Sequence, residues 1–258
     1  MRKEKFGVGD FVHVFNRGNK KMDIVRDNND RWRFLSSLRF YNHKEPTQYI
    51  MRSFFIERKE RKNAPSSNLV RSNLTKNLTK NGNIFDWPEN EELQKPIVEI
   101  VSYCLMPNHY HLLLREIIPG GITMFIKKLG SGFTAYINKK YNEDGRIFQG
   151  SYKARLITDL KYLQYVDAYI QVLNPMELLP QNNFKIGAGI DLGSIIDNPF
   201  TSLGETLGYR NFSIIDRQTI QKKYKLPKTK ESYQKLIRSV MTEGGFQKII
   251  GKLAIDIR

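Results

Sequence analysis

His109 and His111 bracket Tyr110 in the run Tyr103-Cys104-Leu105-Met106-Pro107-Asn108-His109-Tyr110-His111-Leu112-Leu113-Leu114. The apolar setting reads as a buried strand, where side chains alternate faces. The two imidazoles therefore point one way and Tyr110 the other. Two imidazoles on one face of a rigid strand are half of a site for a borderline divalent ion, with positions left for substrate oxygens and a third protein ligand. The bland alternative is a pair of histidines satisfied in a polar crevice. The chain holds only four histidines in 258 residues, which argues against a compositional accident.

A second group of reactive side chains lies between Asp159 and Pro175. At 100° per residue Tyr162, Tyr165 and Tyr169 fall within one narrow helical face. A tyrosine beside a metal ion can act as a nucleophile, because the ion stabilises charge on phosphoryl oxygens and lowers the cost of forming a phenolate. For two of the three, core packing is the simpler reading.

Charge supplies the substrate class. The net charge is +16 and the pI near 9.8, a surplus that points to a polyanionic partner and first to nucleic acid. The competing reading is a soluble protein kept dispersed by its charge. Lys127 and Lys128 sit on the helix after the histidine strand, with Lys139 and Lys140 near its end. Lys153 and Arg155 alternate on a strand and give it a basic face, and Phe148 and Tyr152 are available for base stacking in a single-strand channel. His13 fits a supporting position behind the metal, a DNA-facing position or the core. The single cysteine, Cys104, excludes an intramolecular disulfide framework. No run reaches the ~18 apolar residues of a membrane span, and Met1 to Lys5 lack an apolar signal region. A cytoplasmic protein is expected.

The elements that must position these residues follow from periodicity. Phe11 to Asn16 reads as a strand ended by Arg17-Gly18-Asn19, and Asp27 to Asp30 cap a helix over 31–41. From about 43 to 96 apolar density falls, and a basic, solvated insertion is expected. Strands follow at 97–104 and 109–116, with a bend at Met106-Pro107-Asn108. A helix runs from Gly121 to about Tyr141, a strand over 146–157, and a helix capped by Asp159 to about Leu173, stopped by Pro175. Past a loop-rich stretch at 180–198, helical patterns recur around 215–224 and 231–241. The order predicts an α+β fold, a small antiparallel sheet with helices on one face. Residues 1–178 form one domain in this reading and 179–258 a helical C-terminal extension.

Four blocks carry a family resemblance: Val12 to Asn19 (VHVFNRGN), Cys104 to Leu113 (CLMPNHYHLL), Gly145 to Gly150 (GRIFQG) and Tyr169 to Pro175 (YIQVLNP). In this order they resemble the REP-associated tyrosine transposases, which belong to the single-tyrosine HUH transposases and endonucleases. Asn198 to Leu203 and Leu207 to Arg210 resemble the tail of longer members. The resemblance implies a ferredoxin-like core and a metal-dependent enzyme. It would cleave and rejoin single-stranded, hairpin-bearing DNA through a 5′-phosphotyrosine link and a free 3′-OH. It implies Mg²⁺ or Mn²⁺ held by His109 and His111, Tyr169 as nucleophile with Tyr165 and Tyr162 as alternatives, and Arg17 on a phosphate. Lys127, Lys128, Lys153 and Arg155 would complete the DNA surface, and the protein would act as a monomer or homodimer. A rolling-circle or mobilisation nuclease and a non-cleaving nucleic-acid-binding protein are the alternatives. The family often places a third ligand four residues after the tyrosine, and here that residue is Leu173. Asn174, one residue later, lies about 140° from Tyr169 on an ideal helix. A π-bulge before Pro175 brings it back to the same face, and Gln171 is the other candidate.

Overall fold

The computed structural model describes residues 5–44, 95–178, 192–215 and 217–242. Nearly all of the insertion at 43–96 and most of the loop at 180–198 lie outside these residues. The core runs β1 (Phe11–Arg17), α1 (Asn28–Phe40), β2 (Val98–Leu105), β3 (His109–Glu116), α2 (Gly121–Tyr141), β4 (Lys153–Ile157) and α3, which begins at Leu160–Ala168. The sheet order is β2-β3-β1-β4, and every neighbouring pair is antiparallel. Two βαβ crossovers interleaved in this order make the ferredoxin-like α+β arrangement.

The two central strands are apolar on both faces because both faces are covered. On one face Tyr110 packs against Phe34 of α1 and against Phe148, while Phe34 meets Phe133 of α2. Val12, Val14, Leu112 and Leu114 complete that layer and are fully buried. On the other face the rings of His13, Phe15 and His111 stack on one another beneath α3. The helices α1 and α2 thus share a face as expected, and α3 adds a layer behind the sheet.

Three boundaries differ from the periodicity. The residues from Arg146 to Tyr152 do not form a ladder; they meet β1 through an isolated Gly18–Phe148 bridge and the Gln149 N–H on the Arg17 carbonyl. Gly145, at φ 98°, and Gly150 interrupt a pattern that otherwise alternates like a strand. Helix α1 begins at Asn28, where Asp27 caps it by accepting from the Asp30 N–H. Nor does Pro175 stop α3. The helix widens into a π-helical turn at Tyr169–Leu173 and continues as Asn174–Met176.

The C-terminal helices α4 (Gly193–Asp197), α5 (Leu203–Thr206), α6 (Arg217–Lys223) and α7 (Lys230–Thr242) follow. They share one apolar cluster with the sheet, and Thr201 bridges to Cys104 on β2. Among the described residues no helix is long and apolar enough to cross a membrane.

Candidate metal and nucleophile site

The histidine strand delivers two imidazoles whose tautomers are set by their neighbours. His109 Nδ1 lies 2.6 Å from Asn108 Oδ1. An amide oxygen only accepts, so Nδ1 carries the proton and Nε2 is the bare nitrogen. His109 Nε2 faces Asn174 Oδ1 at 3.4 Å. Two acceptors facing each other repel unless a cation sits against both, so this pair fits a metal. His111 Nδ1 lies 2.8 Å from His13 Nε2. When the His111 Nδ1–H donates, its Nε2 becomes the ligating nitrogen.

Burial keeps the His13 and His111 rings neutral. It pushes the fully buried His13 imidazolium down to about 3. Burial also holds His111 well below the usual imidazole range, with His13 and then His109 adding like-charge repulsion. Neutral imidazole is the form that binds a metal.

Tyr169 sits on the α3 face turned to the sheet, with its ring edge-on to His111 at 5.5 Å and to His13 at 6.3 Å. The Asn174 N–H donates to the Tyr169 carbonyl, an i→i−5 bond. That wide turn places Asn174 on the side of Tyr169, as the π-bulge reading requires. Pro175 explains the turn, since its ring would clash with the carbonyl four residues back and it has no N–H to offer that carbonyl. The carbonyl is that of Gln171, and the Thr201 hydroxyl donates to it at 2.9 Å instead. Asn174 Nδ2 is buried with no hydrogen-bond partner among the described residues, so only the oxygen end of this amide is turned to a partner.

The donor set is two imidazoles and one amide oxygen. Among the described residues no three His, Cys, Asp or Glu side chains form a metal-holding group. Neutral ligands would leave a divalent ion its full charge, and an amide oxygen is a donor that hard cations accept.

The basic candidates divide by face. Lys153 pairs with Phe15 and Arg155 with His13 across the ladder, so both share the histidine face, and the Lys153 ammonium lies 6.0 Å from the Phe15 ring. Arg17 pairs with His109 at the end of β1. Lys127 and Lys128 lie on α2, behind the opposite face, and the structure does not bring them to the histidines. Lys127 is solvent-exposed, and Lys128 donates to the His43 carbonyl at 2.5 Å.

The stacking candidates are also elsewhere. Phe148 is buried against Tyr110 and Phe133, and Tyr152 bonds Thr123 on α2 at 3.2 Å. Strand 146–157 was expected to present them, but its first half turns inward. Tyr162 and Tyr165 are half-buried, and the Lys161 ammonium lies over the Tyr165 ring. Gln171 is not a ligand, because its amide turns to the far side of α3 and bonds Asp167 and Tyr233. Cys104 is a core residue, and burial pushes its thiol up. Asn108 was not singled out from the sequence; its place directly before His109 was the available signal.

Residues 90–172 match the family model described as "Transposase IS200 like". Among solved structures, one described as "Structure of the REP associates tyrosine transposase bound to a REP hairpin" is similar. It shares 14% identity over 81% of this chain and 84% of that chain, with a TM-score of 0.42. No curated protein matches. The matched segment contains β2, β3, α2, β4 and α3 as far as Val172. The segment of this chain that is similar to the IS200-like transposases thus carries the histidine strand and Tyr169.

Proposed function

We propose that this protein cleaves and rejoins single-stranded DNA through Tyr169, at sequences that fold into hairpins. The observation that carries the proposal is the π-turn, which sets the Tyr169 ring against His111 and the Asn174 oxygen opposite His109 Nε2. His109, His111 and Asn174 would hold Mg²⁺ or Mn²⁺, whose charge would polarise the phosphoryl oxygens. The Tyr169 oxygen attacks the scissile phosphorus. The P–O3′ bond breaks, the proton lost by the Tyr169 hydroxyl is balanced by the one that O3′ takes up to become a 3′-OH, and the 5′-phosphate stays on the tyrosine. Attack by a 3′-OH on that link reverses the step and joins strands, so no nucleotide cofactor is needed. Lys153 and Arg155, on the histidine face, would hold the phosphates on either side, with Arg17 beside His109. Burial of Tyr169, at 3% exposure, limits water around the attacking oxygen.

The test is to incubate the protein with hairpin-bearing single-stranded DNA and Mn²⁺ and look for an adduct that survives denaturation. Wild type forms it and Tyr169→Phe does not. An adduct that persists in Tyr169→Phe overturns the nucleophile. DNA binding without any adduct in wild type marks a binding protein instead.

A further inference from the structure

The tyrosine turn is also gripped from behind, by residues that lie beyond the 90–172 match. Gln171 is 1% exposed, and its amide uses all four of its hydrogen-bonding positions. Nε2 donates to Asp167 Oδ1 and to the Tyr233 hydroxyl, both at 2.8 Å. Oε1 accepts from the Ser202 hydroxyl at 2.9 Å and the Thr206 hydroxyl at 2.8 Å. Tyr233 donates onward to Asp167 Oδ2 at 2.7 Å, and the Gln171 carbonyl receives the Thr201 hydroxyl. Both the side chain and the backbone of Gln171 are therefore fixed.

Apart from Asp167 of α3 itself, the partners come from two separate C-terminal stretches, the lead-in to α5 with α5 itself, and α7. The first stretch is itself tied down. The Arg210 guanidinium donates to the carbonyls of Ile196, Asn198 and Thr201, and the Ser202 hydroxyl accepts from the Tyr103 N–H of β2 at 3.0 Å. A π-turn is less favourable than the α-helix it interrupts, so it needs outside restraint. Pro175 bars the α register, so a released turn loosens instead, and Asn174 moves off His109 Nε2 while the Tyr169 ring shifts on His111.

We infer that Gln171, Thr201, Ser202, Thr206 and Tyr233 are positioning residues, through which the C-terminal segment sets the tyrosine turn in its reactive geometry. None touches the reacting atoms; they act through the rotation of the turn. The inference rests on the proposed tyrosine chemistry for its kinetic readout but not for its structural one.

The test uses the full chain with Thr206→Val and Tyr233→Phe, each removing one hydroxyl at nearly constant volume, and Thr206→Ser as the rescue. Hydrogen exchange of the 169–174 amides is measured without DNA, together with the DNA Kd and the single-turnover adduct rate at saturating DNA. Faster exchange at 169–174, an adduct step slowed about 10- to 100-fold, an unchanged Kd, and recovery in Thr206→Ser are expected. Folded variants with wild-type exchange and rate overturn the inference, as does a loss carried entirely by Kd. If wild type forms no adduct yet the variants exchange faster, the grip on the turn stands and the tyrosine chemistry falls.

Discussion

An imidazole that binds a metal must offer one bare nitrogen, and the bond made by the other nitrogen decides which one it is. Asn108 would do this for His109 and His13 for His111, since each lies within hydrogen-bond distance of the Nδ1 atom. The shared face of His109 and His111 was legible because it needs only strand alternation. The partner of His111 was not, since His13 lies 98 residues away in sequence and becomes a neighbour only through the β1–β3 register. His13→Phe keeps a ring in the core and leaves the His111 Nδ1–H unpaired. A stability loss of about 1–3 kcal/mol is expected from that buried donor. Mn²⁺ affinity is expected to fall about 10- to 100-fold, read by calorimetric titration. Unchanged affinity in the folded variant would remove His13 from the support of the site.

At the scale of the element, the π-turn is how a helix absorbs one extra residue without losing the alignment of the residues that flank it. The resemblance to the tyrosine transposases, which implies a ligand after the tyrosine, made this turn readable from the spacing of Asn174 and the helix end before Pro175. What the sequence did not carry was which layer each basic helix would join. The period-2 pattern of Lys153 and Arg155 held, whereas Lys127 and Lys128 share the basic character but ride behind the opposite face. The strand expected at Arg146 failed because Gly150 and the inward Phe148 outweigh alternation. Deletion of Leu173 sets the asparagine four residues after Tyr169, where an ordinary α-turn aligns the two. The deletion is expected to cost about 2–5 kcal/mol for a lost buried leucine, yet to retain Mn²⁺ binding and adduct formation. A folded deletion variant that no longer binds Mn²⁺ would show that the π-turn does more than restore register.

Across the whole molecule the C-terminal helices complete the core, and one buried carboxylate makes their docking depend on pH. Glu205, 2% exposed, accepts from the backbone N–H groups of Phe212 and Ile214 and from the Tyr103 hydroxyl of β2. Burial pushes its carboxyl up to about 7, against the pull of those backbone bonds and of Arg210. In the unfolded chain the group ionises near its ordinary value of 4.5. Between these values the folded state holds a proton that the unfolded state has released, so this contribution to stability is present at low pH and lost as pH rises from about 4.5 to about 7. His13 and His111, held neutral by burial, act in the opposite sense and destabilise the fold as pH falls below the ordinary imidazole value. Asp167, raised to about 6 by burial, acts in the same sense as Glu205. The wild-type profile alone therefore mixes opposing slopes, and only a difference curve isolates one group. Glu205→Gln keeps an acceptor for the backbone donors and removes the titration. Wild-type stability minus that of the variant, from denaturant unfolding at several pH values, is expected to decline by up to about 3 kcal/mol between pH ~4.5 and ~7. A flat difference would mean that Glu205 ionises alike in both states and that the tail docks without regard to its charge.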